Sequence, residues 1–130
     1  MIDIDFSLKQ YIPEFTVKSR FNNTREITVR DLLCHHSGLP CDDFHNYISS
    51  DPEEYKTAIQ FLQNNYTCYP PGEMFYYSNL GVHLLGIIIE RVSGMPYYQY
   101  IEKVLLNRLK MDRSYLILPE KLKQYLSKPF

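Results

Sequence analysis

The sequence predicts a mainly α fold. Three observations carry this expectation. Apolar residues recur at helical spacing over residues 55–62, 79–93 and 97–105; helix-start chemistry stands at Thr28, Asp51 and Pro96; and Pro and Gly gather at the joints between these stretches.

Residues 1–27 read as irregular, with Pro13 after the extended Tyr11-Ile12 and a turn signal at Asn22-Asn23-Thr24. A short helix is expected from Thr28, whose hydroxyl can cap the following amides while Asp31, three residues on, answers the positive helix end. Leu32 and Leu33 are expected to face inward, and Gly38-Leu39-Pro40 to stop the helix. Asp51-Pro52-Glu53-Glu54 is a stronger start, with an acidic cap, Pro in the first turn and Glu at the third position. The stripe Tyr55, Ala58, Ile59, Leu62 follows it, and the helix is expected to end near Asn64-Asn65.

Pro70-Pro71-Gly72 forces a turn into a short extended segment, Phe75-Tyr76-Tyr77. From Asn79 to Ser93 apolar residues cover nearly the whole circumference, the pattern of a buried central helix. Gly81 and Gly86 lower helix propensity there and predict a closely packed neighbouring backbone. Gly94 ends this helix and Pro96 opens the next, with the stripe Tyr97, Tyr100, Ile101, Val104, Leu105. Ser114 to Leu118 reads as a short strand, and Glu120 onward as a short amphipathic helix cut off by Pro129-Phe130.

The 130 residues are one domain's worth of chain, 45% hydrophobic and 22% charged, enough for a core without disulfides or metals. With 14 Lys+Arg against 15 Asp+Glu there is no basic excess or stripe, so nucleic acid is not an expected partner. The longest apolar stretch, Leu84 to Ile89, is far short of the roughly 18 residues of a membrane span. The start, Met1-Ile2-Asp3-Ile4-Asp5, lacks the basic and apolar regions of a signal peptide. Cys34, Cys41 and Cys68 are an odd number and read as free thiols. Cys34, His35, His36, Cys41 and His45 lie close in sequence but match no zinc-ligand spacing, so no metal is expected.

Two blocks carry more than fold. Residues 27–40 read Ile-Thr-Val-Arg-Asp-Leu-Leu-Cys-His-His-Ser-Gly-Leu-Pro. Residues 71–94 run from Pro71-Gly72 through Tyr77-Ser78-Asn79 into Leu84-Leu85-Gly86-Ile87-Ile88-Ile89-Glu90-Arg91-Val92-Ser93-Gly94. With Asp3 to Phe15 ahead of them, these ordered blocks resemble the serine β-lactamase and penicillin-binding-protein family, in its class C β-lactamase, D-Ala-D-Ala carboxypeptidase and esterase-like branch. The resemblance spans residues 3–118. It implies that residues 1–130 form a single partial domain: the helical lobe of the α+β serine β-lactamase and DD-peptidase fold, with most of the antiparallel sheet missing.

The resemblance also implies a site. Tyr77 of the Tyr-x-Asn element would relay a proton, and Asn79 would bind the substrate's acyl side chain. The substrate in the intact parent would be a small molecule or peptidoglycan-like, namely a β-lactam, a D-Ala-D-Ala-type peptide or a small ester, with no cofactor. The partner motif is absent, since none of the nine serines is followed three residues later by Lys. His36-Ser37-Gly38 has the letters of a further family motif but stands before Tyr77 at a helix end, and reads as a decoy. The expectation is therefore a fragment inactive alone, or a non-catalytic binding module derived from the same fold. A face left by the missing sheet would be exposed or paired in a homodimer. The family is often extracytoplasmic, whereas three unpaired Cys sit more easily in a reducing compartment.

The chain departs from the family at Asn107-Arg108-Leu109-Lys110-Met111, where Arg108 and Lys110 replace a Pro and a Gly. An extended helix is expected to replace the turn there.

Overall fold

A computed structural model describes residues 1–42 and 56–127. The fold is a helical assembly centred on one helix. In chain order the helices are α1 (Val29–Leu33), α2 (Lys56–Asn64), α3 (Asn79–Ser93) and α4 (Tyr97–Tyr100). Helix α4 runs directly into a π-helical stretch, Ile101–Leu106, where Asn107 N–H reaches the Glu102 carbonyl at 3.0 Å. Short 3₁₀ turns stand at Leu8–Gln10 and Glu120–Tyr125. Among the described residues there is no sheet, and the only β-type pairings are the isolated bridges Ser7↔Thr28 and Lys18↔Tyr66.

Helix α3 touches α1, α2 and α4 and is the hub. It buries Leu80, Leu84, Ile87 and Ile88, each side chain worth roughly 1.5–3 kcal/mol of burial. Ser78 caps its start by accepting a hydrogen bond from Gly81 N–H at 2.9 Å, and Gly94 ends it in the left-handed conformation at φ 68°. Glu90 then accepts from the Tyr97 amide at 2.7 Å and so starts α4, while Arg91 pairs with Glu14 of the N-terminal segment.

The rest of the core comes from the segment that reads as irregular. Leu8, Ile12 and Phe15 are buried with Ile27, Val29 and Leu32. The spacing of Leu8, Ile12 and Phe15, four residues and then three, is that of one helical face, but Pro13 breaks the stretch and the chain forms only a 3₁₀ turn and bends there. The Thr28 cap is as expected and forms a reciprocal capping box with Asp31.

Several expectations need correction. Leu33 is 53% exposed, because α1 ends one turn after it starts and its inward face carries Val29 and Leu32 into the core. Termination falls to His35, a non-glycine residue at φ 57°, ahead of Gly38. Helix α3 is not buried all round: Val82 and Val92 are 48% and 44% exposed, with Leu85 and Ile89 half-buried on the same side. Gly81 and Gly86 face side chains at ordinary contact distances, Leu32 and Tyr97 respectively, and not a backbone. Ser114–Leu118 pairs with no strand and is irregular. Asn107–Lys110 is a turn and not an extended helix, with Lys110 at φ 56° taking the left-handed conformation that suits a glycine. The Asp51-Pro52-Glu53-Glu54 start signal lies outside the described residues, while α2 ends at Asn64 as expected.

Candidate active site

Two loops build the site, residues 34–42 after α1 and residues 68–78 before α3. They are stitched backbone to backbone: Cys68 N–H to the Gly38 carbonyl at 2.7 Å, Gly72 N–H to His36 at 2.8 Å, Tyr76 N–H to His35 at 2.7 Å and Asn79 N–H to Cys41 at 2.8 Å. Gly38 is required here. It sits at φ 69°, and a Cβ would stand 2.0 Å from the Tyr69 carbonyl oxygen.

Ser78, only 1% exposed, joins this lattice to the helix, since its hydroxyl donates to the Pro40 carbonyl at 2.7 Å while accepting from Gly81 N–H. Ser37 is fully buried and its hydroxyl accepts from the Leu39 amide at 3.3 Å. That serine is a turn element, as the decoy reading of His36-Ser37-Gly38 requires.

Tyr77 and Asn79 flank Ser78 at the mouth of α3. Tyr77 is 51% exposed, and its hydroxyl has no hydrogen-bond partner among the described residues. Its ring lies against the His35 imidazole, centroids 4.5 Å apart and planes tilted by 36°. Phe75 meets the same imidazole edge-on at 5.8 Å. Asn79 is half-buried, and one N–H of its amide donates to the Asp42 carboxylate at 2.9 Å. The structure thus brings the two residues that the sequence singles out to one end of one helix.

His35 and Asp42 are not among the residues the sequence singles out for the site, yet each touches one of that pair. The signal for His35 lay in the His-His-Ser-Gly turn, where His is among the side chains that tolerate a left-handed backbone. The neighbouring phenol, Tyr76, is held above its ordinary pKa by Cys68, through charge and hydrogen bonding, and by burial. His83, on α3, is exposed.

Among the described residues no group of three or more His, Cys, Asp or Glu side chains is placed to hold a metal ion. Cys34, Cys41 and Cys68 are free thiols. A shallow cleft of about 200 Å³ opens elsewhere, between Ser7, Thr24, Arg25, Thr67 and Pro71, and includes neither Tyr77 nor Asn79.

Residues 2–127 match the sequence model of the Beta-lactamase family. The chain belongs to that family. It is 30% identical over 129 residues to a beta-lactamase of Providencia stuartii, covering 99% of this chain and 31% of that protein. It is also 30% identical over 114 residues to Beta-lactamase-like protein 2 of Dictyostelium discoideum, covering 85% of this chain and 21% of that one. Among solved structures, the octameric penicillin-binding protein homologue from Pyrococcus abyssi is similar with a TM-score of 0.73 and 32% identity, over 94% of this chain and 29% of that one. A beta-lactamase/D-alanine carboxypeptidase from Yersinia pestis shares the fold with a TM-score of 0.76 at 24% identity, over 96% of this chain and 36% of that one. The chain therefore spans about a fifth to a third of the length of these β-lactamase-family proteins. Its architecture is the helical part of their fold.

Proposed function

We propose that this chain supplies one wall of a serine acyl-transfer site, acting in its parent on a β-lactam, a D-Ala-D-Ala-type peptide or a small ester. Tyr77 is the proton-relay phenol and Asn79 the contact to the substrate's acyl side chain. One observation carries the reading. Tyr77 presents a hydroxyl with no hydrogen-bond partner among the described residues at the entrance of α3, on a backbone fixed from both sides by hydrogen bonds, inside the block shared with the family.

The roles follow from what each group has left to offer. Asn79 commits one N–H to Asp42, which orients the amide and leaves its carbonyl oxygen and second N–H for a substrate amide. A phenol has an ordinary pKa near 10 and is a poor base without a cation beside it. No such cation reaches the Tyr77 hydroxyl among the described residues, and no serine of the chain has a lysine three positions on. In this reading the 130 residues alone do not turn over substrate. Labelling with a fluorescent penicillin and hydrolysis of a chromogenic cephalosporin are both expected to be null. Stoichiometric acylation of any serine would overturn the reading.

A non-catalytic association role is the second reading, and a specific surface favours it. Val82, Leu85, Ile89 and Val92 form an apolar stripe along the outer side of α3, on a chain with a net charge of only −1. In this reading the stripe pairs with a second copy of the chain. Sedimentation of the wild type at high concentration should show a dimer that a Val82→Lys, Val92→Glu double variant lacks. A wild type that stays monomeric would sink the idea.

A further inference from the structure

We infer that His35 is a positioning residue for Tyr77, holding three successive residues in one conformation through three different groups. The inference rests on the reading of Tyr77 as the relay phenol, and adds what sets that phenol's direction.

The contacts converge from one side chain and its backbone. The His35 carbonyl accepts from Tyr76 N–H at 2.7 Å. Its imidazole face lies against the Tyr77 ring at 4.5 Å. Its Nδ1 accepts from Ser78 N–H at 3.4 Å, which puts the proton of the neutral ring on Nε2. Phe75, two residues before Tyr77, meets the imidazole as well, edge-on at 5.8 Å.

The left-handed backbone of His35, at φ 57°, makes this convergence possible. It ends α1 and turns the chain back along residues 75–78, a conformation that few side chains other than Asn, Asp and His tolerate. Without the imidazole, a half-exposed tyrosine exchanges rotamers on the picosecond-to-nanosecond scale. A proton relay works only within hydrogen-bond reach of the proton it moves, and a displacement of about 1 Å can lower a rate by about 100-fold. The residue that fixes the ring therefore governs the reaction without touching the reacting atoms.

The test is nuclear magnetic resonance on the full chain carrying labelled Tyr and His, with Tyr77→Phe used to assign the Tyr77 ring signals. The wild type should show direct contacts between the Tyr77 ring and the His35 imidazole, with the Tyr77 ring protons displaced upfield by the facing ring. His35→Asn keeps a residue that tolerates the left-handed backbone and an acceptor for the Ser78 amide. It should abolish the displacement while the Leu84 and Ile88 methyl signals stay in place. His35→Ala should lose the displacement and shift the Ser78 amide as well. Absence of the ring contact in the wild type, or an undisturbed Tyr77 signal in His35→Asn, would overturn the inference. So would a loss accompanied by movement of Leu84 and Ile88, which reports only general loosening. Because the readout is the geometry of Tyr77 and not turnover, its outcome is independent of whether the chain acylates.

Discussion

The Arg25 guanidinium grips the Asp31 carboxylate through two hydrogen bonds, 2.6 and 2.8 Å long, while the same carboxylate accepts from the Thr28 amide and hydroxyl to close the cap of α1. Arg25 lies across Gly72, where a Cβ would stand 2.3 Å from its Nη2. The first helix cap and the turn that leads to Tyr77 are thus held by one side chain.

Asp31→Asn should cost about 2 kcal/mol at neutral pH, from the weakened cap and the lost charge-assisted bonds. Burial pushes the Asp31 carboxyl up, but Arg25 and Thr28 more than offset it and hold the pKa below the ordinary value. A carboxyl lowered in the folded state contributes fully above its unfolded pKa of about 3.9, and that contribution is lost as pH falls through the folded value. The gap between wild type and Asp31→Asn should therefore narrow below about pH 4. Urea midpoints at pH 7 and pH 3 measure it, and a gap unchanged between them would refute the assignment.

Ser78→Ala removes a buried hydroxyl with a partner on each side, the Pro40 carbonyl and the Gly81 amide. The expected loss is about 2 kcal/mol in equilibrium unfolding, more than an exposed cap would give, because the Pro40 carbonyl loses a partner.

Gly38→Ala should be far more damaging. The backbone there is at φ 69°, and the added methyl would collide with the Tyr69 carbonyl, which cannot swing aside as a side chain can. A loss of roughly 3 kcal/mol or more is expected, seen as a collapse of the thermal transition.

Lys110→Gly should go the other way. Lys110 holds φ 56° in the turn after the π-helical stretch, and glycine relieves that strain at a smaller entropic cost in the unfolded chain. The net gain is expected to be about 0.5 kcal/mol, read as a higher urea midpoint with an unchanged slope.

Legibility in the sequence followed regularity. The cap at Thr28, the extent of α3 and its glycine stop were readable because each uses local chemistry at fixed offsets. Leu8, Ile12 and Phe15 were not: they stand at helical spacing, but with Pro13 among them the stretch folds as a 3₁₀ turn and bends and not as the helix that spacing would announce. The outer stripe of α3 misled in the opposite direction. Val82 and Val92 are apolar in a pattern that says buried, and periodicity records which residues are apolar but not what covers them. Tyr77 and Asn79 were found through the block that surrounds them. The contacts of His35 with Tyr77 and of Asp42 with Asn79 arise between segments some forty residues apart in the chain, beyond the reach of any local pattern.

Helix α3 is also where the chain should be slowest to open to solvent deuterium. The amides of Leu84, Ile87 and Ile88 lie in continuous helix and beneath buried side chains, so their exchange requires loss of the whole fold. The N-terminal segment is as deeply buried at Leu8 and Ile12, yet its amides are held by isolated turns and a single bridge to Thr28. Its exchange should be governed by local opening, giving two populations of buried amides with well-separated rates along one chain.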